Sequence, residues 1–173
     1  MEVSQWLSCW VSLRASGLAP RTLESYRDLI ARYIAPAFGS VALEDLSPAA
    51  IQSLLAEICD LGHSRTAQLC YVLLHAALAA ASRQGLFAHN PLDLVMRPRH
   101  TRSDARYWSA DEMRAFALYC GAARWGHAWL LAMLCGLRRG ELAGLRWSDV
   151  DFAANVLHIR NQRQRIAGRG VID

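Results

Sequence analysis

Residues 135–152 read CGLRRGELAGLRWSDVDF and are the most informative stretch of this 173-residue chain. Gly136 permits a tight turn after an apolar helix, which places Arg138 at a break between two helices. Glu141 follows three residues later, on the face of the next helix where its carboxylate can pair with Arg138. A guanidinium held in this way presents a rigid fork of donors that suits a phosphate. On spacing alone, an ordinary surface ion pair at a joint between helices is the simpler interpretation.

The first half of the chain contains four apolar patterns with helical spacing, which predict a compact helical domain over residues 1–94. The expected boundaries are Gly17 after the first helix, Pro36 as the stop of the second, Ser47-Pro48 and Ser64 as caps of the third and fourth, and Gly85 after the fourth. In the fourth helix, the residues expected to face inward are Leu69, Val72, Leu73, Ala76 and Ala80.

A break separates this helical domain from a second one. Residues 95–106 are expected to form an exposed linker, since they include the stretch RPRHTRSDAR with its four arginines. From residue 107 to 173 the sequence predicts a capping box at Ser109–Glu112, an apolar helix from His127 to Cys135 and a short helix that begins near Arg139. A β-hairpin should follow, with a turn at residues 153–155 between strand residues Val150, Phe152, Val156, Leu157 and Ile159. These elements amount to roughly half of a normal domain core.

The charge pattern points to a polyanionic partner. All 19 basic residues are arginine, so no mechanism that needs a lysine can operate in this chain. Residues 1–96 hold 6 arginines and 8 acids, whereas residues 97–173 hold 13 arginines and 7 acids, within a net charge of +4. A basic second half beside an acidic first half favours nucleic acid as the partner. The five cysteines form no Cys-x-x-Cys pair, and neither a zinc ribbon, a secretory signal nor a membrane span is expected.

The stretch at 135–152 resembles the first motif of the tyrosine recombinases, or phage integrases: a Gly-Leu-Arg turn, a Glu three residues on, and then Leu-x-Trp-x-Asp-[Ile/Val]-Asp. Similar phrases occur at Pro20–Tyr26, Gly39–Leu46 and Asn90–Leu92. The resemblance implies a mainly α chain, in which a four-helix, SAM-like core-binding domain precedes the amino-terminal part of an α+β catalytic domain. In such enzymes the two domains clamp a DNA duplex, and the basic linker runs between them.

The resemblance also implies a reaction. Members of this family cut one DNA strand at a time with a tyrosine nucleophile, form a 3′-phosphotyrosyl link and use no metal or other cofactor. Two arginines, a lysine and histidine-like residues stabilise the charge that builds on the phosphate. By motif, Arg138 matches the first of these arginines and Glu141 matches the acid that supports it.

The chain departs from the family at the other catalytic positions. No lysine follows Arg165, and the pair His158 and Arg160 comes too early to be the expected histidine and second arginine. The last tyrosine, Tyr119, precedes Arg138. We therefore expect an amino-terminal portion of a recombinase that does not cut DNA by itself.

The aromatic residues have a structural interpretation. Most of the six tryptophans and five tyrosines fall at helix-face positions, so we expect core packing and not base stacking, with Trp147 left open. Tyr107 and Tyr119 are accordingly expected to be structural, and not substitutes for the missing nucleophile.

Two helix N-termini carry hydroxyl and arginine side chains of the kind that bind phosphate oxygens and base edges. The resemblance adds that such domains lay these two helices against the major groove; solvated polar faces with caps are the alternative. The residues expected to bind DNA are Arg21, Thr22 and Ser25 in the second helix, Ser64, Arg65, Thr66 and Gln68 in the fourth, Arg97, Arg99, Arg102 and Arg106 in the linker, Arg139 beside the motif, and Arg160, Arg163 and Arg165 near the end.

The predicted function is the DNA-binding portion of a site-specific recombinase, encoded by a phage or another mobile element, that integrates or excises DNA. The expected partner is double-stranded DNA, on which the full-length protein forms a tetramer at paired sites, in the cytoplasm and associated with the nucleoid. Two alternatives remain open: a truncated, non-catalytic DNA-binding or regulatory protein, and a helical protein-interaction module. Exposed apolar surface on the incomplete second domain predicts self-association.

Overall fold

Residues 1–100 fold into five α-helices around one apolar core. The computed structural model describes residues 1–100, 105–166 and 170–172 and divides the chain into two units, Met1–Arg102 and Ser103–Asp173. The helices of the first unit are α1 (Val3–Arg14), α2 (Pro20–Leu29), α3 (Ala35–Phe38), α4 (Pro48–Asp60) and α5 (Ser64–Arg83). None of the described helices is both long and apolar enough to span a bilayer. The mainly helical fold class is confirmed, whereas the domain limits stay a prediction.

Local sequence signals set most helix ends as predicted. Ser47 Oγ accepts a hydrogen bond from the Ala50 N–H at 3.2 Å, and Pro48 lies in the first turn of α4, where no N–H is needed. Gly85 adopts a φ of +75° just after α5. Ser64 differs from its prediction, because His63 occupies the N-cap position and Ser64 is the first helical residue, so its hydroxyl does not cap α5.

Pro36 does not end the second helix, contrary to the prediction. Residues Ile30–Ile34 form a turn of π-helix, after which the Ala35 N–H donates to the carbonyl of Ile30, five residues back. Because α3 begins anew at Ala35, Pro36 lies in a first turn, where its missing N–H costs no hydrogen bond. The helical path therefore continues to Phe38, whose side chain is buried in the core.

The buried face of α5 differs from the predicted one. Of the five residues expected to face inward, only Leu73 is fully buried, while Val72 is 43% exposed and the other three lie at the edge of the core. The prediction was wrong for Val72, because α5 is apolar on most of its surface, so that spacing alone does not select one face. The buried residues are Ala67, Cys70, Leu73, Leu74, Ala77, Leu78 and Ala81.

Close approach of the helices explains this choice of face. The small side chain of Ala77 lets α1 approach so closely that Trp6 Nε1 donates to the Ala77 carbonyl at 3.0 Å. Burial on the same face raises the pKa of the Cys70 thiol to about 11, which keeps the thiol protonated at neutral pH. The face of α5 is thus selected by its neighbours in space.

The described part of the second unit combines three short helices with two β-hairpins. The capping box at Ser109 and Glu112 is confirmed, with hydrogen bonds of 2.6 and 3.2 Å between backbone N–H and side-chain oxygen. The predicted hairpin is also confirmed but is shorter, because Phe152 belongs to its turn and Ile159 follows its second strand. The elements are α6 (Ala110–Ala122), α7 (Gly126–Cys135), α8 (Arg139–Gly144), and the antiparallel pairs β1 (Val150–Asp151) with β2 (Val156–Leu157) and β3 (Gln164–Ile166) with β4 (Gly170–Ile172).

Aromatic side chains of the second unit are largely exposed. Trp6 and Trp10 of the first unit are buried as expected, but Tyr107 is 88% and Tyr119 62% exposed; Trp147, which the sequence left open, is 84% exposed. The expectation of core packing was therefore wrong for the second unit. The physical reason is a thin core: among the side chains described for this unit, Cys120 is the only buried apolar one.

Candidate nucleic-acid interface

A polar cleft lies between α2 and the start of α5. Three residues expected to bind DNA, Arg21, Ser25 and Thr66, meet there although Thr66 is 41 positions beyond Ser25. Thr22 is not among the lining residues and is half-buried. Arg32 and Tyr33 were missed by the sequence analysis, because they belong to the π-helical turn that no sequence signal revealed. The cleft encloses about 280 Å³ and is lined by Arg21, Glu24, Ser25, Asp28, Leu29, Arg32, Tyr33 and Thr66.

Each arginine of this cleft is paired with an acid. Arg21 Nη1 lies 2.6 Å from Glu24 Oε2, and Arg32 Nη2 lies 3.6 Å from Asp28 Oδ2, each pair about one turn apart on the same helical path. Glu24 is the least accessible of the four, with 19% of its side chain exposed against 67% for Arg21. The cleft therefore presents donors and acceptors together, a mixture that can contact base edges as well as phosphates.

The start of α5 is bordered by the chain segment 96–100. Arg65 Nη1 donates to Gln68 Oε1, and Ser64 Oγ lies 3.0 Å from Nδ1 of His100. His100 was missed because a single histidine in a basic stretch carries no signal of its own. Gln68 lines a second, open cleft of about 710 Å³ with the segment's side chains, Met96, Arg97, Pro98, Arg99 and His100. The structure thereby brings the predicted contacts of α5 and of the segment into one region of the first unit.

Glu141 holds Arg138 at two points. Its Oε2 accepts the Arg138 backbone N–H and its Oε1 accepts a guanidinium N–H from Nη1, both at 2.8 Å. Gly136, in the left-handed region at φ +64°, ends α7, and Arg138 follows in an extended conformation just before α8. The backbone hydrogen bond and then the side-chain hydrogen bond lower the pKa of Glu141. The Arg138 side chain is 85% exposed, so its guanidinium is accessible to a phosphate.

Arg160 is partly committed to a structural contact. Its Nη1 lies 3.6 Å from Oδ1 of Asp149, whose side chain is 4% exposed. The other oxygen of Asp149 accepts the backbone N–H of Arg146 at 3.0 Å. The buried carboxylate thus ties the segment after β2 to the turn before β1, and Arg160 helps to balance its charge.

The segment before β3 packs against α8. The Arg163 N–H donates to the Gly140 carbonyl at 2.8 Å, and a Cβ on Gly144 would lie 3.0 Å from the Asn161 carbonyl oxygen. Arg102 lies outside the described residues. Among the described residues of the second unit, Arg138 and Glu141 are the predicted site residues whose side chains form a hydrogen bond with each other. Three other residues predicted to bind DNA are exposed: Arg106, Arg139 and Arg165.

Comparison with known sequences links the chain to integrases. Residues 3–58 match the family model of the phage integrase N-terminal SAM-like domain. The integrase of Saccharopolyspora erythraea is 22% identical over 94% of this chain and 38% of that protein. The integrase of Enterobacteria phage 434 is 28% identical over 87% of this chain and 42% of that protein. The chain therefore spans about two fifths of the length of these relatives.

Solved structures share the fold. A lambda integrase tetramer bound to a Holliday junction superposes with a TM-score of 0.79 at 23% identity, over 99% of this chain and 50% of that one. The Tn1549 transposon integrase in complex with circular intermediate DNA gives a TM-score of 0.80 at 19% identity, over 99% of this chain and 58% of that one. At these identities the likeness shows a common fold.

Proposed function

We propose that this chain, which is similar to phage integrases of the tyrosine recombinase family, is the DNA-binding portion of a site-specific recombinase. In this proposal the first unit binds a DNA duplex and the basic residues at 95–106 follow the phosphate backbone. The full-length protein integrates or excises DNA through a phosphotyrosyl intermediate, as a tetramer on paired sites, in the cytoplasm and at the nucleoid. Integrase relatives from phages and bacteria and the DNA-bound integrase structures support it.

The cleft between α2 and α5 is the observation that carries the proposal. Two helices present Arg21, Ser25 and Thr66 toward one space, where arginine can neutralise a phosphate and the hydroxyls can donate to its oxygens. The acids of the same cleft can accept hydrogen bonds from exocyclic amino groups of bases. A cleft with both kinds of group suits a surface that binds DNA with some preference for sequence.

Arg138 is proposed to bind the phosphate at which the full-length enzyme cuts, with Glu141 as its support. Glu141 binds the backbone N–H of Arg138 and one N–H of its guanidinium, which leaves the remaining guanidinium donors available to a phosphate whose charge increases during reaction. No lysine and no tyrosine follow Arg138 in this chain. We therefore expect that the chain binds a nicked duplex without forming a covalent protein–DNA adduct, as denaturing electrophoresis of the mixture would reveal.

The experiment that tests DNA binding is a fluorescence-anisotropy titration of a labelled duplex at several salt concentrations. Arg65→Ala at the start of α5 is compared with Arg83→Ala. Arg83 is also an exposed arginine, but it lies at the other end of the same helix. We expect affinity to fall steeply with salt and Arg65→Ala to weaken binding more than Arg83→Ala does. Equal effects of the two variants would contradict the placement of the interface. Absence of binding at low salt would favour the protein-interaction module instead.

A further inference from the structure

The segment 96–100, called the strap from here on, is anchored to the first unit at both of its ends. At its start, the Met96 N–H donates to Oε1 of Gln52 on α4 at 2.8 Å. At its end, Nδ1 of His100 lies 3.0 Å from Oγ of Ser64 at the start of α5. Neither Gln52 nor His100 lines the cleft between α2 and α5, so the two contacts that anchor the strap need an explanation of their own.

The chain that leads into the strap is fixed as well. Asn90 Nδ2 donates to the His75 carbonyl, and Asn90 Oδ1 accepts the Leu92 N–H. Leu92 and Val95 are buried in the core of the first unit. The strap therefore leaves the core at a defined point, one residue before its first anchor.

The strap displays two arginines while its middle residue faces the protein. Arg97 and Arg99 are exposed and Pro98 between them is half-buried. Pro98 restricts its own φ and disfavours the helical conformation of Arg97, so the strap has few alternative conformations between its anchors. An arginine on an unanchored linker loses conformational entropy when it binds a phosphate, whereas an arginine on an anchored segment has lost most of it already.

We propose that Gln52 and the Ser64–His100 pair are positioning residues, which hold Arg97 and Arg99 of the strap in place for DNA phosphates beside the start of α5. This inference rests on the proposed function, since it requires that the first unit binds DNA. It makes residues 96–100 a preformed part of the binding surface and not a loose linker. Gln52 then affects DNA affinity through the two arginines, without touching DNA.

The test is a salt titration of DNA binding by the full chain and its variants. Gln52→Met keeps the size of the side chain but removes the acceptor, and Gln52→Glu keeps an acceptor oxygen. The combined change Arg97→Gln with Arg99→Gln removes the charges of the strap. Since each lost phosphate contact reduces the slope of log affinity against log salt by about 0.9, the double arginine variant should lose ~1.8 from the slope.

Gln52→Met should weaken binding at every salt concentration, because the unanchored arginines lose conformational entropy when they bind, and Gln52→Glu should bind more tightly than Gln52→Met. Added to the double arginine variant, Gln52→Met should change nothing further, because the side chains that Gln52 positions are already gone. Hydrogen exchange of the Met96 amide measures the anchor without DNA: we expect protection in the wild type and in Gln52→Glu, and fast exchange in Gln52→Met.

Four results would overturn the inference, and the last of them would also overturn the proposed function. Equal protection of the Met96 amide in all three proteins would show that Gln52 does not anchor the strap. If Gln52→Met lowered the affinity equally with and without the strap arginines, Gln52 would not act through Arg97 and Arg99. A wild-type slope in the double arginine variant, with binding still weakened by Arg65→Ala, would reject the strap and leave the proposed function intact. If the wild-type chain does not bind DNA, the proposed function fails together with the inference.

Discussion

At the scale of single residues, Glu141 is the group on which the geometry of Arg138 depends. One carboxylate accepts hydrogen bonds from the backbone and from the guanidinium of the same arginine. Both bonds favour the charged carboxylate and lower its pKa. The stabilisation that this charged form gives to the folded state is therefore present above the ordinary carboxyl pKa, and it is lost as the pH falls through the lowered pKa.

Arg138→Met should raise the pKa of Glu141, but only part of the way to its ordinary value. The variant loses the guanidinium bond, whereas the backbone N–H of residue 138, the larger cause of the shift, remains. A carboxyl NMR titration of both proteins measures the difference. Glu112 is an internal control that should not move, because its lowered pKa is due to hydrogen bonds with Ser109. A complete return of Glu141 to the ordinary pKa would show that the side chain is the main cause.

Glu24→Gln should tighten binding to DNA of random sequence. Arg21 is paired with Glu24 and has to leave that partner in order to bind a phosphate. The negative charge of Glu24 also repels the phosphate backbone of the DNA. An exposed ion pair contributes about 0.2–1 kcal/mol, so the affinity should rise by up to roughly fivefold. Glu57→Gln, on α4 and outside the cleft, is the matched control in the same anisotropy titration. Weaker binding by Glu24→Gln would indicate that Glu24 contacts the DNA directly.

At the scale of secondary-structure elements, α5 shows where the pattern of apolar residues stops being informative. Leu73 and Val72 are neighbours and both are apolar, yet Leu73 is fully buried and Val72 is 43% exposed. Either residue fits a helical spacing of apolar positions, so the choice between them depends on the helices that pack around α5. Mutations at these two positions should therefore have different effects on stability.

Leu73→Ala should reduce the free energy of unfolding of the first unit by about 2–5 kcal/mol, because it removes buried methyl groups and leaves a cavity. Val72→Ala should change it by no more than ~0.5 kcal/mol, as is usual for surface positions. Urea denaturation followed by circular dichroism measures both variants against the wild type. Similar losses from the two substitutions would mean that the buried face of α5 is assigned incorrectly.

At the scale of the whole molecule, the two units differ in how well they bury their apolar residues. The first unit has a continuous core, whereas the second exposes an apolar cleft of about 600 Å³ lined by Trp108, Phe116, Trp129, Ala132 and Met133. Trp108 meets Phe116 edge to face with 4.8 Å between ring centroids, and Phe116 stacks with Trp129 at 6.4 Å. A contiguous apolar surface of this kind favours association with another surface.

The chain should self-associate as its concentration rises, and Trp108→Gln should weaken that association. Burying a large apolar side chain contributes about 1.5–3 kcal/mol, so its removal should raise the dissociation constant roughly tenfold or more. Sedimentation velocity over a range of concentrations gives the constant. Leu13→Gln serves as the control, since Leu13 is 65% exposed, belongs to the first unit and is not among the residues that line this cleft. A wild-type chain that stays monomeric at high concentration would contradict the expectation.

Features that depend on residues close together in the chain could be predicted from the sequence. The cap at Ser47, the capping box at Ser109 and the pairing of Arg138 with Glu141 each involve groups three residues apart. At that separation the geometry of one helical turn fixes the distance between the groups, whatever the rest of the molecule does. The mainly helical fold class followed from signals of this kind.

The tertiary structure alone decided which distant residues meet. Leu74 and not Val72 is buried in the core, and the helical path continues past Pro36. Thr66 of α5 lies at the same cleft as residues of α2. The tertiary structure also joins Met96 to Gln52, 44 positions away. These outcomes depend on how closely helices can approach one another and on which backbone groups then find partners. The physical reason is that such contacts are set by packing in space, which local spacing along the chain does not encode.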